Sequence, residues 1–231
     1  MKTKIGISLT ILFLSLVPLV GFAQNKTITN EEIISVWKDY TVRVTCISSD
    51  ENGLKKSYSD GSGFLIYTSK GISVLTNLHV LYTKGNKLSD YCNVYIPKTS
   101  ETFKVLKKDR FSGKYQDRAT LNIKSPSKDL RELMRKSKAV SSDCKEEQLV
   151  KDLDIAFIGF PIGSDKTKAS SIKGKIVGSE DDYIVSAINI VSGYSGGVAI
   201  SLRDNCYIGI PTFAKKDDLS KSLILNVNKF K

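Results

Sequence analysis

Apolar and polar positions alternate over short stretches through most of the chain, and Gly, Asp, Asn, Ser and Lys collect in the breaks, the pattern of strands joined by hairpin loops. Six such runs come first: Thr41 to Ser48, Ser62 to Tyr67, Ile72 to Val80, Asn93 to Pro97, Thr102 to Lys107 and Ala119 to Lys124. Ser127 to Val140 then changes period, with Leu130, Leu133 and Met134 at helical spacing among Lys, Arg and Glu, which predicts a surface helix. A second six follows: Asp154 to Phe160, Ser171 to Gly178, Tyr183 to Ala187, Gly197 to Leu202, Cys206 to Phe213 and Ser222 to Val227. Near the start, Asn30 before Glu31 and Glu32 reads as an N-cap opening a short helix to about Lys38. Two sixes of strands split by one helix predict an all-β molecule of two closed six-stranded antiparallel barrels packed together, with a short N-terminal helix and an inter-barrel helix.

One run breaks the pattern by length. Ile5 to Val20 is almost continuously apolar, follows Lys2 and Lys4, and ends in Gly21-Phe22-Ala23, small residues at both positions of a cleavage site. This predicts a secretory signal peptide over residues 1–23, with no stable membrane insertion after it is cut. The expected organisation is then an N-terminal lobe over 24–126, a connecting helix and loop over 127–150, and a C-terminal lobe over 151–231. An exported chain meets an oxidising space, where Cys46, Cys92, Cys144 and Cys206 can form two disulfides in any of three pairings.

Charge narrows the partners. Without Lys2 and Lys4 the chain keeps 33 basic residues against 24 acidic ones, a net +9. The basic residues are scattered and lack the stacked aromatics of a nucleic-acid platform, so no specific nucleic-acid partner is expected, though weak attraction to polyanions fits. With one histidine and no C-x-x-C, a metal site is poorly supplied with ligands, and no cofactor is expected.

The chemistry-bearing residues are few. In Gly193-Tyr194-Ser195-Gly196-Gly197 a serine sits among glycines, which allow a turn that exposes the hydroxyl and gathers N–H groups. His79 closes the apolar stretch Leu75-Thr76-Asn77-Leu78-His79-Val80, where an imidazole needs partners. Chain order discriminates among serine enzymes: an α/β-hydrolase needs a histidine after the serine, and none follows Ser195. The subtilisin order needs an Asp before the His, for which Asp39, Asp50 and Asp60 are available, together with long helices that the pattern lacks. His, then Asp, then Ser remains.

These residues, with Gly61-Ser62-Gly63-Phe64, Ile158-Gly159-Phe160-Pro161-Ile162-Gly163, Gly174-Lys175-Ile176-Val177-Gly178 and Ile208-Gly209-Ile210-Pro211-Thr212, resemble the trypsin-like serine peptidases, in particular the bacterial HtrA/DegP-type protease domain. The resemblance runs from about residue 40 to 228 in the family's order and does not extend to a PDZ domain. It implies a secreted serine endopeptidase acting on protein or peptide substrates, with Ser195 as nucleophile, His79 as general base, an oxyanion hole from the N–H groups of Gly193 and Ser195, and no cofactor or metal.

Two aspartates compete for the third place. Asp154-Ile155-Ala156-Phe157-Ile158 and Asp117-Arg118-Ala119-Thr120-Leu121-Asn122-Ile123 both match family patterns. The family's Asp opens the last strand of the first barrel, which favours Asp117 and leaves Asp154 as the alternative. The resemblance also implies a substrate pocket from Asn189, Thr212, Phe213 and Ala214, with the Thr212 hydroxyl supporting the Asp; an uncharged Asn189 favours small or medium apolar residues. The family's barrel topology pairs Cys46 with Cys92 and Cys144 with Cys206. The competing function is a catalytically inactive relative acting as an extracytoplasmic binding protein. The sequence leaves the oligomeric state open.

Overall fold

The computed structural model describes residues 28–50, 52–112, 117–137 and 142–229. The expected leader over 1–23 lies outside them, as does the end of the expected connector helix. Among the described residues no helix is long and apolar enough to cross a membrane.

The first helix, α1 (Asn30–Lys38), starts one residue earlier than the sequence suggests, because the cap is Thr29 and not Asn30. The Thr29 hydroxyl accepts from the Glu32 N–H, and the Glu32 carboxylate accepts from the Thr29 N–H. This reciprocal box satisfies two donors that an open helix end would leave free.

The strands β1 (Thr41–Ser49), β2 (Lys56–Thr68), β3 (Gly71–Thr76), β6 (Tyr91–Ile96), β7 (Glu101–Leu106), β8 (Arg110–Ser112) and β9 (Ala119–Asn122) form one antiparallel sheet in the order β7-β6-β1-β2-β3-β9-β8. A two-stranded ribbon, β4 (Tyr82–Thr83) with β5 (Lys87–Leu88), stands beside it. The expected closed six-stranded barrel is therefore corrected: this sheet has seven strands and is curled, not closed by hydrogen bonds. The physical reason lies at Lys107–Asp109, a 3-10 turn that breaks what would be one strand into β7 and β8. Three consecutive charged residues cannot alternate across a half-buried sheet. Asp109 turns inward instead and meets Lys124 at 2.8 Å. The two edges of the sheet are thus successive in the chain and joined by that turn.

The second half closes fully. Strands β10 (Asp154–Gly159), β11 (Ser170–Glu180), β12 (Tyr183–Ser186), β13 (Val198–Ser201), β14 (Tyr207–Lys215) and β15 (Asp218–Asn226) form a barrel in the order β10-β11-β12-β15-β14-β13, and β13 returns to pair with β10. Between the two sheets, α2 (Lys128–Lys136) is capped by Ser127 and buries Leu130, Leu133 and Met134, the three residues its spacing singled out.

Two apolar cores follow from the pleat. Ile155 and Phe157 of β10, Ala199 of β13 and Ile208 of β14 point into the barrel. Their alternates Ala156, Ile158, Val198, Ile200 and Ile210 point outward and join the first sheet, α1 and α2 in the other core. Both faces of β10 and β13 are covered, which is why they read as unbroken apolar runs. Trp37 of α1 is fully buried at this junction, stacked on Phe64 and Tyr207, with its indole N–H donating to Asn205 Oδ1 at 2.8 Å. Disulfides join Cys46 to Cys92 and Cys144 to Cys206, each within one half.

Candidate functional site

His79 does not end a strand. β3 stops at Thr76, and the histidine lies in a 3-10 turn over Leu78–Leu81. Asp117, in the loop before β9, takes hold of it twice: Oδ1 accepts from the His79 backbone N–H at 2.8 Å, and Oδ2 lies 2.5 Å from Nδ1. A carboxylate on Nδ1 keeps the proton there and leaves Nε2 free to accept one. The imidazole is about half exposed, and the carboxylate is mostly covered. Asp154 is elsewhere: it is exposed at the start of β10 and pairs with Lys175 Nζ at 2.7 Å.

Ser195 comes from the loop before β13. Its hydroxyl donates to Thr212 O at 2.6 Å, and among the described residues no hydrogen bond joins it to the His79 ring. The glycines around it are required by shape. Gly193 has φ +102°, and a Cβ there would sit 2.2 Å from Phe160 O; Gly196 has φ +83°, and its Cβ would meet Thr76 Oγ1 at 2.2 Å. L side chains rarely adopt such conformations. Among the described residues, the N–H groups of Gly193 and Ser195 have no acceptor. Two such N–H groups on one tight turn form a cradle for a negatively charged oxygen.

The two halves meet around these groups. Val80, next to His79, and the Ser195 carbonyl both press on Gly61. Asn77 Nδ2 donates to Asp117 O at 2.9 Å and to Thr212 Oγ1 at 3.3 Å. The Phe213 ring stands 6.5 Å from that of His79, and Tyr183 stands 6.0 Å beyond it. Burial, then the Asp117 and Asp182 carboxylates, push the Tyr183 hydroxyl above the ordinary tyrosine range.

The Thr212 hydroxyl, expected to support the Asp, has other partners in the structure. It donates to Ile210 O and accepts from Asn77, and among the described residues no hydrogen bond joins it to the Asp117 carboxylate. Thr212 is fully buried, whereas Asn189 and Phe213 are exposed and Ala214 is half-buried. Pro211 lacks a donor, but its carbonyl accepts from Gly196 N at 3.0 Å and so anchors the serine loop. Sequence reasoning missed Asn77 and Ser62 as parts of the site. Both lie in motifs that it singled out, but their partners come from distant chain positions. Among the described residues no group of acidic, histidine or cysteine side chains is arranged to hold a metal ion.

No family model matches the chain, and no curated protein matches it by sequence. Its fold is similar to a solved structure, that of the Rv3671c protease from M. tuberculosis in its active form, with a TM-score of 0.61. The likeness covers 88% of this chain and 83% of that one, at 18% identity. The architecture is therefore that of the trypsin-like double barrel, with one barrel closed and the other a curled sheet whose edges meet only through a turn.

Proposed function

We propose that the chain is a secreted serine endopeptidase in which Ser195, His79 and Asp117 act together on protein or peptide substrates. The observation that carries this is the Asp117 carboxylate held on Nδ1 of His79, beside a serine loop whose Gly193 and Ser195 N–H groups have no acceptor. The fold likeness to a protease adds support.

In the mechanism, Ser195 Oγ leaves Thr212 O and turns toward His79. Nε2 takes its proton as Oγ bonds to the carbonyl carbon of the substrate. The two N–H groups stabilise the developing oxyanion, a contribution of about 3 kcal/mol per donor. His79 then gives the proton to the departing amine as the C–N bond breaks, and water, activated by the same ring, releases the acyl group. Asp117 holds the tautomer and stabilises the imidazolium. Asn189, Phe213 and Ala214 line the substrate side, and export through the leader places the enzyme outside the cytoplasm. Two disulfides fit that compartment.

A second reading is an inactive binding protein, which the Ser195 hydroxyl bond to Thr212 O favours. A fluorophosphonate probe separates the two. Folded wild-type protein is expected to be labelled at Ser195, and Ser195→Ala is not; an unlabelled wild type would establish the binding reading. Asp117→Asn is expected to lower turnover by roughly 10⁴, because it favours the wrong tautomer. Asp154→Asn should change little, since that carboxylate serves Lys175.

A further inference from the structure

The two unpaired N–H groups can serve one oxygen only if the peptide planes of residues 192–196 are held in one arrangement. In a planar trans peptide the C=O and N–H point in opposite directions, so fixing a carbonyl aims the amide behind it. Four successive carbonyls are held. Ser192 O accepts from Ile162 N at 2.9 Å, and Tyr194 O accepts from Gly197 N at 2.9 Å, which leaves the N–H groups of Gly193 and Ser195 turned away from both. The other two carbonyls are held by a single residue of the first sheet. Ser62 Oγ donates to Gly193 O at 2.6 Å, and Ser62 N donates to Ser195 O at 2.8 Å.

Ser62 is itself fixed. It is fully buried on β2, its carbonyl accepts from Thr76 Oγ1 at 2.7 Å, and its hydroxyl accepts from Phe160 N at 2.8 Å. A hydroxyl has one proton to give. Because Phe160 supplies the other contact as a donor, that proton is committed to Gly193 O. Without it, the peptide between Gly193 and Tyr194 keeps only the long bond from Tyr194 N to Val191 O at 3.4 Å, next to a glycine that adds no restraint of its own, and the donors on either side lose their common aim.

We propose that Ser62 is the positioning residue of the oxyanion donors, the side chain through which the first sheet sets the geometry of the serine loop on the second. This rests on the peptidase reading above. It predicts that loss of the hydroxyl weakens the transition state and leaves binding of the reactant alone.

The test is the labelling kinetics of a fluorophosphonate probe, in which Ser195 Oγ displaces fluoride from phosphorus as charge grows on the phosphoryl oxygen. For Ser62→Ala, the maximal rate constant kinact is expected to fall about 10- to 100-fold, the scale of a misplacement near 1 Å, with KI unchanged. A stabilising role alone would lower Tm and leave kinact of the folded protein at the wild-type value, and that result would overturn the proposal. So would a raised KI with kinact intact. If near-UV circular dichroism shows that Ser62→Ala does not fold, Gly159→Ala is read in the same way. Its added Cβ would lie 2.7 Å from Ser62 Oγ and 3.0 Å from Tyr194 Cδ1, displacing the hydroxyl while every hydrogen-bonding group remains. Failure of the wild type to react at all is a distinct outcome, which removes the peptidase reading and this inference with it.

Discussion

The hydroxyl of Tyr207 is buried with no hydrogen-bond partner among the described residues, in the stack that it forms with Trp37 and Phe64. Burial, and then Asp143, push its ionisation far above the usual tyrosine range, so it stays protonated and uncharged. An unmade hydrogen bond in such a place costs about 1–3 kcal/mol. Tyr207→Phe keeps the ring and removes the cost, so it is expected to stabilise the protein by about 1 kcal/mol, raising Tm by about 2–4 °C. A thermal scan showing a clear loss of stability would mean that the hydroxyl has a partner in solution. At this scale the sequence is legible where a residue type is scarce or conformationally special. His79 is the only histidine, and the glycines around Ser195 announce a turn. Ser62 and Asn77 are not legible in this way, because a small polar side chain inside an apolar motif gives no sign of which distant carbonyl it meets. Thr212 shows the same limit: the family's arrangement implied a hydroxyl near the Asp, while in the structure that hydroxyl donates to Ile210 O.

Among elements, α1 shows how much a short helix depends on its ends. It is nine residues long, a length at which an isolated helix is marginal in water. The Thr29 and Glu32 box, an ion pair from Glu31 to Lys173 Nζ at 2.5 Å and the burial of Ile33, Ile34 and Trp37 together hold it against the barrel. Thr29→Ala should cost about 1 kcal/mol, concentrated in faster amide hydrogen exchange over Ile33–Lys38 with the sheets unaffected. Exchange that accelerated equally in β10 would instead mean that the helix and barrel open together. Strands with one buried face were readable from alternation, and their ends were not. The start of β2, Lys56–Gly61, reads as loop because it is polar and only partly buried as far as Asp60, yet its backbone completes the ladder with β1 as far as Ser49. The run through Val80 reads as one strand because Ile72, Val74, Leu75, Leu78 and Val80 carry its apolar character to the end, but past Thr76 the chain enters a 3-10 turn in which the His79 N–H donates to Asp117. Periodicity cannot separate a strand from a turn over so few residues.

For the molecule as a whole, the sequence conveyed two sheets divided by a helix. It ended the fifth run at Lys107 but missed β8 beyond the turn, because the ion pair from Asp109 to Lys124 at that turn depends on the sheet having already curled. Each disulfide staples one half to itself: Cys46 to Cys92 ties β1 to β6, and Cys144 to Cys206 ties the connector to the barrel. Replacing Cys144 and Cys206 with serine is expected to cost about 2–4 kcal/mol, read as a lower urea midpoint. An unchanged midpoint would show that the parallel bridge between Asp143 and Tyr207 and the Cys144 N–H bond to Tyr207 O already fix that segment.

The apposition across the cleft has no covalent staple and relies on Ser62, Asn77, Trp37 and the shared apolar layer. On the proposed function, this has a consequence for a chain in transit. Neither half alone owns a complete set of reacting groups, so the ability to cut arrives only when maturation is finished, and an incompletely assembled molecule is harmless to the cell that exports it.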